Sequence, residues 1–258
     1  MKIVDALSGR KGLVLGVANN RSIAWGIAQS LRDSGAELGF TYQGDKLKGR
    51  VEPLAEELGV KLLLPCDVTN PDEVETLFAR VKDEWGKLDF LVHSLAFAPK
   101  EELEGQYLKT SRNGFLMAHD ISAYSLTALA QQALPLMSDG GSIVALTYLG
   151  GERVVPGYNV MGVAKASLEM SVQYLAHDLG PQGVRVNAIS AGPVNTLAAR
   201  GVSGFTKMMD IVGDRAPLKR NVTLEEIGCT ASFLISPLSS GITGEVIHVD
   251  AGFHVLGM

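Results

Sequence analysis

The stretch GLVLGVANNRSIAWGIAQSLRDSGAELGFTY, Gly12 to Tyr42, sets the pattern that the rest of the chain repeats. A short run of branched apolar residues is followed by a helical pattern and then by a second apolar run. Alternation of this kind predicts parallel strands joined by crossover helices. The fold class is therefore α/β, a single-domain, Rossmann-like, doubly wound parallel sheet of about seven strands with helices on both faces. The predicted strands are Gly12–Val17, Glu37–Tyr42, Lys61–Cys66, Asp89–His93, Ser142–Leu146, Arg185–Ile189 and Glu245–Val249, and the first three precede helical patterns at Ser22–Ser34, Asp45–Leu58 and Pro71–Glu84.

Composition limits the classes of function. The 258 residues are 46% hydrophobic, and no linker or repeat interrupts them, so we expect one nucleotide-binding domain over residues 1–258. A net charge of −5 without a polybasic block argues against a nucleic-acid or membrane partner. The N-terminus lacks the apolar core of a signal peptide, and we expect a cytoplasmic protein with reduced Cys66 and Cys229 and no metal site.

The junction between the first strand and the first helix predicts an anion site. Gly16 ends the strand, Ala18 lies in the loop, and Ser22 is placed to cap a helix that begins at Ile23. Backbone N–H groups at such a junction bind a pyrophosphate. The spacing is not G-x-G-x-x-G, so a merely tight turn is the alternative.

The ends of the second and third strands bear on the adenosine half of a dinucleotide. The second strand ends in Gln43, whose neutral amide suits a ribose 2′-OH better than a 2′-phosphate. NADH is therefore the expected cofactor, although Lys46, Lys48 and Arg50 keep NADPH as the less favoured choice. Asp67 is placed to accept from the adenine amino group and Val68 to cover the ring, with a helix N-cap as the alternative role of Asp67.

The stretch LTYLGGERVVPGYNVMGVAK, Leu146 to Lys165, places Tyr158 seven residues before Lys165. Together with HSLAFAP (93–99) and VNAISAGPVNT (186–196), it resembles the short-chain dehydrogenase/reductase superfamily. Ketone reductases of that superfamily carry Tyr-x3-Lys and a preceding serine, whereas here Met161 and Tyr148 occupy those two positions. The Tyr-x6-Lys pattern and the strings TYQGDKLKGRV, SAYSL and YNVMGVAKASLE are similar to those of the bacterial enoyl-acyl carrier protein reductases.

The resemblance implies a hydride transfer to a conjugated thioester. On a helix, residues seven apart lie on nearly the same face but ~10 Å apart along the axis, against ~6 Å for a spacing of four. Tyr158 is then expected to donate to the developing enolate, and Lys165 to hold the nicotinamide ribose. Tyr148 is also placed in the site, where it could touch the acyl chain, gate it, or fill the space of the absent serine. Gly162 inside the helix predicts a close neighbour, either a partner subunit or the ligand.

The same resemblance implies the remaining contacts. Ser94, Leu95, Val194 and Thr196 are the further expected cofactor residues, and Ala98, Tyr148, Tyr158, Met161, Phe205 and Met208 are the expected substrate residues. The last two lie in a substrate lid near residues 197–212, for which a plain core helix is the alternative. The apolar C-terminal tail is expected at a homotetramer contact, although the sequence alone equally allows a tail folded on its own core.

The expected function is NADH-dependent reduction of trans-2-enoyl thioesters on acyl carrier protein in fatty-acid elongation. A 3-oxoacyl or ketone reductase of the same fold is one alternative, and a non-catalytic dinucleotide-binding regulator is the other. Between residues 196 and 222, five basic residues stand against Asp210 and Asp214, which suggests a docking surface for the acidic carrier unless some of them pair with neighbouring carboxylates. The basic residues are Arg200, Lys207, Arg215, Lys219 and Arg220.

Overall fold

A computed structural model describes residues 5–196 and 205–257, with the side chains of Phe205 and Thr206 excepted. Seven strands form one sheet in the order β3-β2-β1-β4-β5-β6-β7, and every neighbouring pair is parallel. The predicted doubly wound sheet is confirmed, with strand bounds that move by one or two residues. The strands are β1 Lys11–Leu15, β2 Glu37–Tyr42, β3 Leu62–Pro65, β4 Phe90–His93, β5 Gly141–Thr147, β6 Val184–Ala191 and β7 Val246–Val249.

Helices cover both faces of this sheet, because alternate residues of each strand face opposite sides. In β1, Val14 joins one buried core, whereas Leu13 and Leu15 join the other. The helices are α1 Ile23–Asp33, α2 Gly44–Leu58, α3 Pro71–Trp85, α4 Arg112–His119, α5 Ser125–Ala133, α6 Asn159–Leu179, α7 Phe205–Arg215 and α8 Leu224–Ile235.

The strand order reverses between β1 and β4. At this point the backbone after β1 lies in close contact with the backbone after β4. Gly16 follows β1 with φ of +102°, and a Cβ built on it would lie 2.0 Å from the Ser94 carbonyl oxygen. Only glycine fits this approach. Ligands of doubly wound sheets bind at such a reversal, outside the carboxyl ends of the strands. The fold therefore places a cleft where the first loop and the end of β4 meet.

Two irregular features lie beside that cleft. A π-helical turn, Asp120–Tyr124, joins α4 to α5. A small third core of Ala118, Val160, Met161 and Ala164 packs between α4 and α6. Among the described residues, no helix is both long and apolar enough to cross a membrane.

Candidate active site

Ser22 fixes the conformation of the loop after β1 through side-chain hydrogen bonds. Its hydroxyl accepts from the backbone N–H groups of Ala18 and Asn19, each at 3.1 Å. Ser22 occupies the N-cap position of α1 as predicted, but its side chain makes no capping bond to the helix. The Trp25 and Gly26 N–H groups donate to the Ser22 carbonyl, whereas the leading N–H groups of a helix, which begin here at Ile23, have no intrahelical acceptor and favour an anion. This loop fits the pyrophosphate of a dinucleotide.

The adenosine side is organised by Asp67. Its carboxylate accepts from the Gln43 side-chain amide at 2.7 Å and from the N–H and hydroxyl of Thr69 at 2.9 and 2.7 Å. Burial alone would raise the pKa of Asp67, but these hydrogen bonds lower it overall. Asn70, not Asp67, caps α3 by accepting from the Asp72 N–H. Asp67 is therefore an ionised acceptor beside the partly buried Val68.

Lys165 is enclosed by backbone. Its side chain lies on α6, the residue is only 4% exposed, and its ammonium donates to the Leu146 carbonyl at 2.7 Å. A longer contact of 3.5 Å reaches the Leu95 carbonyl at the end of β4. Burial lowers the pKa of Lys165 to about 8, although the Glu169 carboxyl acts in the opposite direction. The amine thus joins the ends of β4 and β5, where a nicotinamide ribose would lie.

Two tyrosines pack against each other next to the start of α6. The rings of Tyr148 and Tyr158 pack edge to face with centroids 5.0 Å apart. Burial raises the pKa of Tyr158 well above its usual range and that of Tyr148 to about 12. Both phenols are protonated donors at neutral pH. Tyr158 is the N-cap of α6 and not part of the helix, because Asn159 adopts a φ of +40°, so the spacing along a helix axis does not apply strictly.

The rings of the two tyrosines pack against Gly150, which has no side chain that could clash with them. A Cβ on Gly150 would lie 2.4 Å from the Tyr158 ring and 3.3 Å from the Tyr148 ring. A Cβ on Gly162 would lie 2.7 Å from the Gly150 carbonyl oxygen. The predicted close neighbour of Gly162 is therefore the loop after β5 of the same chain, not a partner subunit or a ligand.

The substrate side is apolar. Ala98, Phe115 and Tyr158 pack against the small core that contains Met161. The Tyr148 hydroxyl donates to the Met208 sulfur at 3.1 Å and so connects β5 to α7. The predicted lid falls partly outside the described residues, which omit residues 197–204 and the side chain of Phe205. The lid and the role of Phe205 remain predictions.

The remaining predicted cofactor residues lie at strand ends. Ser94 donates its N–H to the Leu15 carbonyl at 3.1 Å, and Leu95 packs on the edge of one main core. Val194 and Thr196 follow β6 and are buried, and the Thr196 N–H reaches the Val194 carbonyl at 2.7 Å. The structure thus brings the ends of β1, β4, β5 and β6 to one cleft.

Two buried polar residues of this region escaped the sequence analysis. Glu169 accepts from the Thr147 hydroxyl at 2.5 Å, and burial raises the pKa of its carboxyl. Its position four residues after Lys165, on the same helix face, was the available signal. His93 is fully buried and bonded to Ser125 at 2.7 Å, and burial, aided by the Lys165 charge, lowers its pKa to about 3. No local motif marks it.

Comparison with known proteins agrees with this arrangement. A family model described as "Enoyl-(Acyl carrier protein) reductase" matches residues 16–254. The enoyl-[acyl-carrier-protein] reductase [NADH] FabI of Bacillus subtilis is 58% identical, over 97% of this chain and 98% of the relative. The enoyl-[acyl-carrier-protein] reductase [NADH] 1 of Rhizobium meliloti is 56% identical, over 98% of this chain and 93% of the relative.

Solved structures give the same result. The enoyl-(acyl-carrier-protein) reductase of Anaplasma phagocytophilum in complex with NAD superposes with a TM-score of 0.96 and 52% identity, covering 100% of this chain and 98% of that one. The Bacillus cereus enoyl-acyl carrier protein reductase with NADP+ and indole naphthyridinone gives 0.96 and 55%, with 100% of both chains covered. The resemblance found in the Tyr-x6-Lys stretch is confirmed, and the chain belongs to the enoyl-(acyl carrier protein) reductase family.

Proposed function

We propose that this chain reduces trans-2-enoyl thioesters carried on acyl carrier protein, with NADH as the reductant, in fatty-acid elongation. The observation that carries the proposal is the set of three residues at the start of α6: the buried Lys165, the partly buried Tyr158, and Met161 in the small core against which Tyr158 packs. A ketone reductase needs a tyrosine at position 161, and a thioether cannot donate a proton there. The relatives named above, which act with NADH by name, support the cofactor and the reaction.

The chain's own residues have distinct parts in this reaction. Bound NADH supplies the hydride that reaches the β-carbon of the thioester. Tyr158 donates a hydrogen bond to the thioester oxygen as negative charge develops on it, and its raised pKa keeps the phenol protonated. Lys165, held by the carbonyls of Leu95 and Leu146, would contribute a positive field and would hold the ribose hydroxyls of bound NADH. The apolar wall around Ala98 excludes water from the reacting carbons.

One assay separates this function from its enzymatic rival. NADH oxidation is followed with crotonyl-CoA, an enoyl thioester, and separately with acetoacetyl-CoA, a 3-oxoacyl thioester. We expect turnover with the first and little with the second. Preferential turnover of acetoacetyl-CoA would establish the ketone-reductase reading, and NADH binding without turnover of either would support a regulator.

The carrier is proposed to dock beside α7. Lys207 and Arg215 are exposed there, whereas Arg200 lies outside the described residues. Arg220 pairs with Glu226 through two contacts of 2.6 and 2.9 Å, and Lys219 donates to the Asp214 carbonyl. Pairing with a neighbouring carboxylate, which the sequence left open, therefore occurs at Arg220. Among the described residues of this stretch, Lys207, Arg215 and Lys219 remain against Asp210 and Asp214, which is three minus two, or +1, so the basic excess is smaller than the sequence suggested.

We also propose a cytoplasmic homotetramer. Large apolar side chains are exposed on α4, the π-turn and α6, which contact one another, and a cluster of exposed apolar residues is typical of a subunit contact. They are Leu116, Met117, Tyr124, Met170 and Tyr174. Edge strand β7 is also only partly covered. Cys66 and Cys229 are free, as a reducing compartment requires. Light scattering at micromolar concentration tests the assembly, and a monomeric mass would contradict it.

A further inference from the structure

The π-turn Asp120–Tyr124 faces the segment that leaves β4. Turns of this type inside α-helices are rare and concentrate at functional sites. Ser122 lies within the turn and Ser125 directly follows it, and both side chains are fully buried. Both hydroxyls bond to the chain between His93 and Phe97. The irregular turn therefore supports the strand end on which cofactor and substrate residues are expected.

Ser122 makes an unusual set of contacts. Its hydroxyl oxygen accepts from the Phe97 N–H at 3.0 Å and also lies 3.2 Å from the Phe97 carbonyl, to which it can donate. The Met161 sulfur lies 3.7 Å away as a second, weaker acceptor. A hydroxyl has one hydrogen and two lone pairs, so a single side chain satisfies the polar groups on both sides of Phe97. The peptide planes before and after this residue are fixed together.

The segment from His93 to Phe97 is bonded to different neighbours along its length, and the bond of the Ser94 N–H to the Leu15 carbonyl is one of these attachments. His93 bonds to Ser125, and the Leu95 carbonyl faces Lys165; both attachments lie on the cofactor side. Phe97 bonds to Ser122, and the next residue, Ala98, packs on the same small core as Tyr158. Of these contacts, the bonds between Phe97 and Ser122 lie nearest to the end of the segment at Ala98.

We propose that Ser122 is a positioning residue for the enoyl substrate, which holds Phe97 and Ala98 in place relative to Tyr158 through one buried hydroxyl. The inference rests on the proposed function. Ser122 touches no reacting atom; it fixes the wall against which the thioester lies. Misplacement of a reacting group by about 1 Å can cost up to about 100-fold in rate, so a small shift of this wall is measurable.

The test compares Ser122→Ala with Ser125→Ala, which removes an equally buried hydroxyl from the same turn. We expect Ser122→Ala to lower kcat/KM for crotonyl-CoA by about tenfold, with the Kd for NADH within about twofold of wild type. Ser125→Ala is expected to lower Tm, because it leaves the buried His93 unpaired, and to keep kcat/KM for crotonyl-CoA within about threefold. Ser122→Cys retains the size of the side chain but is a weaker donor and acceptor, so we expect an intermediate loss.

Wild-type turnover of crotonyl-CoA is measured first, so that failure of the proposed function is seen as an inactive wild type. Folding of each variant is checked by its thermal transition, and Ser122→Cys decides the matter where Ser122→Ala does not fold. Wild-type kcat/KM in a folded Ser122 variant would overturn the inference. A parallel loss of NADH affinity would also overturn it, because the segment would then serve the cofactor and not the substrate.

Discussion

The two ends of the cleft differ in the burial of their polar groups and in the protonation state that the surroundings favour. At the adenosine end, Gln43 is exposed, Asp67 is partly exposed, and hydrogen bonds stabilise the charged form of the carboxyl. At the reacting end, Tyr158 and Lys165 lie under backbone and rings, and burial favours their neutral forms. The first end is suited to recognition and the second to a response to charge that appears during the reaction. The first three predictions each act on one end and should leave the other unchanged, and the fourth acts on the rim of the site.

The largest effect is expected at Tyr158. Tyr158→Phe keeps the ring on Gly150 and removes only the hydroxyl, so kcat for an enoyl thioester should fall by about 100-fold or more. The Kd for NADH, measured by fluorescence titration, should change by less than about twofold. Equal losses in turnover and cofactor binding would remove the distinction between the two ends.

Substitution of Lys165 is expected to weaken the binding of the cofactor. Lys165→Met removes a charged donor, and the Kd for NADH should rise by about tenfold at pH 7. The wild-type amine has a pKa of about 8 and is mostly neutral at pH 9. The ratio of the Kd for NADH of the variant to that of wild type should therefore be smaller at pH 9 than at pH 7. A ratio of the two Kd values that is constant from pH 7 to pH 9 would show that the charge of Lys165 does not contribute to NADH binding.

Gln43 tests the adenosine end alone. Gln43→Arg should raise the ratio of kcat/KM for NADPH over NADH by about tenfold, because a guanidinium pairs with a 2′-phosphate. Asp67, which already accepts from residue 43 at 2.7 Å, would compete for that guanidinium. Adding Asp67→Asn should therefore increase the gain further. A wild-type preference for NADPH would contradict the interpretation of this strand end.

The smallest effect is expected at the rim of the site. Lys207→Glu with Arg215→Glu should raise KM for an enoyl thioester on acyl carrier protein by about threefold at low salt and less at high salt. Crotonyl-CoA lacks the carrier and serves as the matched control, with an unchanged KM expected. A rise in KM for both substrates would indicate a disturbed α7 and not a docking effect.

Local signals place the expected cofactor residues at strand ends, and their contacts with a dinucleotide stay a prediction. Gly16, Ser22, Gln43 and Asp67 each follow or precede a strand whose apolar run is visible in the sequence, and parallel strand ends converge at one edge. The bond between Gln43 and Asp67 was not predictable, because it joins residues 24 apart through the register of β2 and β3. That contact is a tertiary one, and it produces no periodic pattern in the sequence.

The reacting end was predicted in its residues and less well in its geometry. The Tyr-x6-Lys spacing identified Tyr158 and Lys165, but the helix begins only at Asn159, where φ is +40°, so Tyr158 precedes its first residue. The π-turn has no signature in DISAY, and the packing of Gly162 against Gly150 depends on how the loop after β5 folds back. These features arise from packing among segments distant in sequence, which hydrophobic periodicity does not encode.

The setting of Lys165 has a calorimetric consequence. With a pKa of about 8, the free protein at pH 8 carries this amine in nearly equal protonated and neutral populations. Ribose hydroxyls that accept from the ammonium would favour its charged form and so raise its pKa. Binding at that pH therefore takes a fraction of a proton from the buffer. The observed heat of NADH binding should vary with the ionisation enthalpy of the buffer at pH 8, and hardly at all at pH 6, where Lys165 is already charged.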